Sequence, residues 1–180
     1  SAWSLYAWSG SCGVGWMCGL VLVCQWRGGP RDLNLSLRRQ RQRVIRDRQD
    51  AAEGMYSITD SPIGDYVGDW GTSITQFINP LSFAGVVYPY VTFTSKWNIE
   101  KNHDFVQFQI STDGSSWHPL SGDYTTIGSG QTAQPSSEPG YDSYQEDWVN
   151  EFIDLVIFSH EPEVNIRLIL RSYGSVEEDG

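Results

Sequence analysis

The sequence Asp104-Phe-Val-Gln-Phe-Gln-Ile-Ser111 alternates between apolar and polar side chains. Successive side chains of a β-strand point to opposite faces of the sheet, so this alternation predicts a half-buried strand. Val106, Phe108 and Ile110 would face inward, and the polar residues between and after them would face solvent. A glycine-containing loop at residues 112–116 follows directly and predicts a hairpin.

Further strand-like segments lie on both sides of this stretch. The same alternation recurs at residues 164–171, and shorter or weaker patterns occur at 74–78, 88–97 and 148–155. No segment shows the sustained 3.6-residue spacing of an amphipathic helix. The pattern predicts an all-β fold, an antiparallel β-sandwich or jelly roll. The polar loop at 122–144 is longer than a simple connection requires, and such loops are often functional.

The charge of the chain divides it into two parts. Residues 1–52 hold eight arginines and three acids, whereas residues 53–180 hold four basic residues and nineteen acids. The three cysteines, Cys12, Cys18 and Cys24, have a spacing that matches neither a zinc site nor a closed disulfide framework. We therefore expect residues 1–53 to be a basic leader rich in Cys, Trp and Arg that is disordered or out of frame, and residues 54–180 to be the domain. A solvated linker and a functional basic segment are the alternatives for the leader.

Whole classes of function are disfavoured by composition and motifs. The net charge of −10 argues against a nucleic-acid binder that depends on overall basicity, and no apolar run is long enough for a membrane span. The histidines form no zinc-binding pair with a glutamate, and the sequence has no serine-hydrolase motif or phosphate-binding loop. We therefore expect that this chain is not an enzyme.

Acidic and aromatic side chains are the candidate binding groups. Calcium takes several oxygen ligands, often from distant parts of a sequence, and Glu100 and Asp104 lie near one end of the predicted sheet. Acids at strand ends are, however, commonly solvated turn residues. Among the aromatic residues, Tyr141 and Tyr144 of the polar loop are expected to be exposed and to bind a ligand.

Tryptophan side chains are expected to have a structural role. Each large ring buries about 150–250 Å² when it packs between two sheets. Trp97 and Trp117, which lie at the end of one predicted strand and after the hairpin loop, are expected to be core residues.

Several short motifs occur together in the second part of the chain. They include Tyr56-Ser-Ile-Thr-Asp-Ser-Pro62, then Trp97-Asn-Ile-Glu100 followed by Asp104, and then Ser111-Thr-Asp-Gly-Ser-Ser-Trp117. With these motifs, residues 54–180 resemble the MAM-like jelly-roll domain that follows the catalytic domain of secreted bacterial metallopeptidases. Zinc carboxypeptidases and immune inhibitor A-like proteases are members of that group.

The resemblance implies a non-catalytic, extracellular accessory module whose last strand is missing after Gly180. Its partner would be a catalytic peptidase domain in cis, or a protein or carbohydrate surface. In related jelly rolls a structural calcium ion joins acids from the start and the end of the domain. By match, the candidate ligands are Asp60, Glu100, Asp104 and Asp179. The alternative from another class is a free-standing carbohydrate-binding or adhesion module.

Overall fold

The structure is a computed structural model. It describes residues 71–77 and 79–174, together with the backbone of five short strands that precede them. The strands are β1 Ala2–Tyr6, β2 Val23–Arg27, β3 Leu37–Arg39, β4 Arg43–Ile45, β5 Ser57–Thr59, β6 Thr72–Phe77, β7 Tyr90–Ile99, β8 Phe105–Ser111, β9 His118–Pro119, β10 Thr126–Ile127, β11 Pro139–Gly140, β12 Ser143–Asp154 and β13 Asn165–Arg171. A single 3-10 turn, Val156–Phe158, is the one helical element in this described part of the chain. The prediction of an all-β fold is confirmed.

Two larger sheets contain most of the strands. Sheet A has the strand order β12-β7-β1-β2, and sheet B has the order β3-β6-β13-β8-β9. Each pairing between described strands is antiparallel, apart from the parallel pair β1 and β7. No helix in the described residues is long and apolar enough to cross a membrane.

Two pairings join the leader to the domain. β1 lies beside β7 in sheet A, and β3 lies beside β6 in sheet B. The sequence did not predict these pairings. The leader also contains an apolar stretch at residues 14–26, which we expect not to pack against the domain, and most of that stretch lies outside the described residues. The division into a separate leader and a domain therefore stays a prediction.

Sheet A is formed around β7, in which buried and partly exposed residues alternate without a break. The buried face carries Val91, Phe93, Ser95, Trp97 and Ile99. The alternation predicted for residues 88–97 is confirmed, with the strand beginning and ending two residues later. β12 pairs with β7 and is longer than predicted, with a shift of register between Gln145 and Val149.

Sheet B places β8 between β13 and β9. Val106, Phe108 and Ile110 face the core as predicted. The expectation that the opposite face is solvated is wrong, because Gln107 and Gln109 are 0% and 3% exposed. Arginine side chains of β13 and the segment around residues 138–139 cover these two glutamines and hydrogen-bond to them.

Side chains from both sheets meet in one hydrophobic core. Phe93 of β7 stacks on Phe108 of β8 with 6.1 Å between ring centroids. Trp97 is buried, as predicted, and its ring centroid lies 5.0 Å from that of Tyr141. The prediction for Trp117 is wrong, since its ring is only half-buried and lies outside the core cluster.

The long polar loop folds closely onto sheet B. Its short strands β10 and β11 pair with each other, and Tyr141 exchanges backbone hydrogen bonds of 2.7 and 3.0 Å with Val106. Gly140 is required by this contact, because a Cβ atom there would lie 2.5 Å from the carbonyl oxygen of Val106 and from the ring of Phe105. The loop is therefore an ordered part of the fold.

Candidate functional site

Two of the four predicted calcium ligands lie in the turn between β7 and β8. The backbone amide of Asp104 donates to the carbonyl oxygen of Glu100 at 3.1 Å, which closes this turn. The Asp104 carboxylate is buried and accepts a hydrogen bond of 2.6 Å from the backbone amide of Tyr173. The structure therefore places Glu100 and Asp104 in one turn and connects Asp104 to the segment that follows β13.

The other two predicted ligands, Asp60 and Asp179, lie outside the described residues. Within residues 71–77 and 79–174, no group of three or more His, Cys, Asp or Glu side chains is arranged to hold a metal ion. Half of the predicted ligand set lies outside these residues, so calcium binding stays a prediction.

Tyr141 is buried, so the expectation that its ring is exposed is wrong. Its accessible fraction is 0%, and its ring packs against Trp97 and Phe93 in the core. Its hydroxyl donates a 3.0 Å hydrogen bond to Oε2 of Glu151. Burial and the neighbouring Glu151 carboxylate raise the pKa of Tyr141 well above its ordinary value. This tyrosine is therefore a structural residue that cannot reach a ligand from its present position.

Glu151 is a buried carboxylate that the sequence reasoning missed. Besides the Tyr141 hydroxyl, it accepts hydrogen bonds from the backbone amides of Asp123, Tyr124 and Phe152 at 2.6, 3.1 and 2.8 Å. Every one of these donors is provided by the protein itself. Glu151 thus fixes the start of the long loop against β12. Its place between Val149 and Ile153 in an alternating strand was the available signal for an inward-facing acid.

Tyr144 is exposed, as predicted. It lies on β12 opposite Asn98 of β7. Loss of hydration and the nearby carboxylates of Glu146 and Asp147 raise its pKa. Its role in ligand binding stays a prediction.

Exposed apolar residues are concentrated at the opposite end of β12 and in the loops beside it. We call this group the apolar patch, and its exposed residues are Val87, Tyr88, Phe152, Val156 and Ile157. Tyr88 and Ile157 are each 76% exposed. The two loops that carry the patch are held together by the hydrogen bonds Leu155 N to Pro89 O and Ser159 Oγ to Val87 O, of 3.1 and 2.7 Å.

Polar and aromatic groups continue from this patch along β7 and β12. Tyr90 stacks on Phe152 with 5.4 Å between ring centroids. The Thr94 hydroxyl donates a 2.7 Å hydrogen bond to the side-chain oxygen of Asn150 on the neighbouring strand. The face therefore combines a flat aromatic pair with groups that form hydrogen bonds.

Sheet B carries a different arrangement on the outer face of β8 and β13. We call it the arginine face, and it consists of Gln107, Gln109, Trp117, Arg167 and Arg171. The Arg167 guanidinium lies 3.9 Å from the centre of the Trp117 ring, and its Nε donates to Oε1 of Gln109 at 2.8 Å. Arg171 donates from Nη1 to Oε1 of Gln107 at 2.5 Å.

The charges of this face are only partly compensated by nearby acids. Neither guanidinium forms an ion pair with a carboxylate of the described residues. Burial lowers the pKa of both arginines. The charge of Arg171 lowers the pKa of Arg167 further, whereas the charge of the Glu138 carboxylate raises the pKa of Arg171. The sequence contained a signal for this site, because Arg167 and Arg171 lie four residues apart on one face of an alternating strand.

No family model matches the chain, and no curated protein and no solved structure matches it either. The resemblance to MAM-like domains stays a prediction.

Proposed function

We propose that residues 54–180 are a non-catalytic, extracellular accessory module of a secreted bacterial peptidase, with a β-sandwich or jelly-roll architecture. Support for this architecture comes from the core, to which sheets A and B both contribute side chains. Face-to-face packing of two sheets around a shared core is the arrangement of a β-sandwich. The proposed partner is a catalytic peptidase domain in cis, or a protein or carbohydrate surface.

The apolar patch is the observation that carries this proposal. Contiguous exposed apolar residues on a folded domain commonly mark a contact surface. Tyr88 and Ile157 are exposed in two loops that are joined by hydrogen bonds, so they lie in the same part of the surface. By contrast, the buried acid Glu151 is occupied by the protein's own backbone amides. The surface therefore favours contact with a partner.

A structural calcium ion belongs to the same proposal. Its ligands would be Asp60, Glu100, Asp104 and Asp179, all of which provide oxygen atoms, as calcium prefers. The support in the described residues is the turn that carries Glu100 and Asp104. The ion would join this turn to the two ends of the domain.

The test of the accessory role begins with the DNA upstream, read in all three frames for a zinc-peptidase motif. Where a catalytic domain is encoded in frame, the two-domain protein is digested with trypsin. Ile157→Asp is expected to expose the junction to cleavage, because it places a charge in the contact. The matched control is Ile127→Asp, which alters another exposed isoleucine, in β10. Equal digestion of both variants would refute the role of the apolar patch.

An activity assay tests the non-catalytic part of the proposal. The purified chain is incubated with a denatured protein substrate in the presence of zinc and calcium, and the products are read by mass spectrometry. No cleavage is expected. Cleavage that co-purifies with the chain and is abolished by a chelator would overturn the proposal.

A second candidate is a free-standing carbohydrate-binding or adhesion module, and the stacked pair of Tyr90 and Phe152 favours it. Aromatic faces stack on the apolar faces of sugars, and Thr94 with Asn150 could hydrogen-bond to sugar hydroxyls. Affinity electrophoresis in gels that contain neutral polysaccharides tests it. Retention that Phe152→Ala abolishes, together with no peptidase motif upstream, would favour this candidate over the first.

A further inference from the structure

The arginine face concentrates positive charge in a segment that is otherwise acidic. Residues 53–180 contain four basic and nineteen acidic residues, and two of the four, Arg167 and Arg171, lie on the outer face of β13. With so many acids in the segment, ion pairs at both arginines would be the ordinary outcome. Among the described residues, neither arginine has one.

Arg167 is held in a defined position by neutral partners. The ring of Trp117 supports one face of the guanidinium at 3.9 Å, and Oε1 of Gln109 accepts the hydrogen bond from Nε. A cation over a tryptophan ring is attracted by the ring quadrupole. These two contacts occupy a face and one N–H of the group. Among the described residues, none forms a hydrogen bond with the two terminal nitrogens, whose N–H groups would contact the ligand.

Arg171 is coupled to Arg167 through the two buried glutamines. Gln107 accepts from Arg171 and from Nε2 of Gln109, the latter at 3.0 Å. The Gln107 amide in turn donates to the Glu138 carboxylate at 2.9 Å, and the charge of this carboxylate acts on Arg171 without forming an ion pair with it. One chain of hydrogen bonds therefore fixes both guanidiniums.

We propose that the arginine face binds a carboxylate group of a peptide. A guanidinium presents two parallel N–H donors that match the two oxygens of a carboxylate, and binding one would offset the repulsion between the two fixed cations. Trp117 would contact the residue next to the carboxylate. The inference rests on the proposed function, since a module attached to a peptidase meets peptide substrates and products.

The overall charge favours a ligand with one carboxylate over a polyanion. Residues 53–180 are strongly acidic, so a ligand with a charge on every unit is repelled by the rest of the domain. A peptide with a single carboxylate carries little of this penalty. The same reasoning predicts that added salt weakens binding, because screening reduces the attraction between the ligand and the guanidiniums.

The experiment uses the full chain and three labelled peptides of one neutral sequence, followed by fluorescence anisotropy. One has a free C-terminal carboxylate, one a C-terminal amide, and one an amide with a single internal glutamate. The first peptide is expected to bind at least tenfold more tightly than the second. The third peptide distinguishes two modes of recognition. It should bind weakly if the face recognises a chain terminus, and tightly if the face recognises an acidic side chain.

Variants assign the binding to this face. Arg167→Gln is expected to weaken binding about tenfold, which is the loss of one charge-assisted pair. Arg167→Lys keeps the charge but loses the fork and much of the stacking, and should weaken binding severalfold. The matched control is Lys96→Gln, which removes the same charge from sheet A and should leave the affinity within about twofold. If Arg167→Gln does not fold, the affinity of Arg167→Lys for the peptide shows whether the arginine face binds it.

Several results would overturn the inference. One is equal affinity for the acid and amide peptides, and another is an equal loss of peptide affinity in Arg167→Gln and Lys96→Gln. Binding of polygalacturonate in place of the peptides would assign the face to an acidic polysaccharide. Failure of peptide binding leaves the accessory function standing, because that function is carried by the apolar patch. Cleavage of the peptides by the chain would instead overturn the proposed function.

Discussion

Glu151→Gln tests whether one buried carboxylate holds the long loop against β12. Oε1 accepts from the amides of Asp123 and Phe152, and Oε2 accepts from the amide of Tyr124 and the hydroxyl of Tyr141. Glutamine keeps one oxygen, and its amide nitrogen would meet two donors. Hydrogen bonds to charged groups contribute about 1.5–3 kcal/mol each, so the loss of two should lower the free energy of unfolding by about 3–6 kcal/mol.

The measurement is equilibrium unfolding in urea, with Glu163→Gln as the control. Glu163 is an exposed loop residue, so its change alters the net charge equally and should shift stability by less than about 0.5 kcal/mol. If Glu151→Gln leaves no folded protein, Tyr141→Phe removes one of the four bonds and should cost about 1.5–3 kcal/mol. A loss in Glu151→Gln no larger than in the control would refute the reasoning.

Four further predictions follow from the same contacts. Phe108→Ala should lower the free energy of unfolding by about 3–5 kcal/mol, because the side chain is buried in the core; a loss below about 1 kcal/mol in urea unfolding would contradict this. Burial raises the pKa of Tyr141, so the native protein should lose stability as the pH rises above about 10, and Tyr141→Phe should show a smaller loss in unfolding measured across that range. Hydrogen bonds from the Ser116 hydroxyl and from loop amides lower the pKa of Asp113. The native protein should therefore exceed Asp113→Asn in stability by the full amount above about pH 3.9, the ordinary carboxyl value, and by less as the pH falls below it. A stability difference that does not depend on pH would contradict these hydrogen bonds. Calcium should raise the melting temperature by mass action, and Glu100→Gln should reduce this shift whereas the control Glu163→Gln should not. Equal melting temperatures in calcium and in chelator would refute the proposed calcium site.

The strands of the domain were predictable because apolar and polar residues alternate in them. β7, β8 and β13 lie within a few residues of their predicted positions, and Phe108 and Ile166 face the core as the alternation requires. Alternation indicates which residues face the core, but it carries no information about what covers the opposite face. Gln107 is an example: it is buried because residues distant in sequence cover β8.

The environment of single aromatic rings was less predictable. Tyr141 lies in a loop of polar composition, which favoured exposure, but its backbone pairs with Val106 and draws the ring into the core. Trp117 follows a turn and was expected inside, yet it supports the guanidinium of Arg167 at the surface. In both cases a tertiary contact with a distant strand determines burial, and local composition does not report such contacts.

The acids of the domain show why charge count alone does not identify a metal site. Asp113 accepts hydrogen bonds from the loop that follows it, and Glu151 accepts four from the protein itself. Asp113 follows the end of β8, where a calcium ligand is also expected, whereas Glu151 lies within β12. The two roles differ in the donors that reach the oxygens. Glu100 and Asp104 can therefore be assigned as ligands only by a response to calcium. The arginines of β13 can be tested directly by peptide binding, because the side chains that hydrogen-bond to them or stack on them in the described structure are neutral.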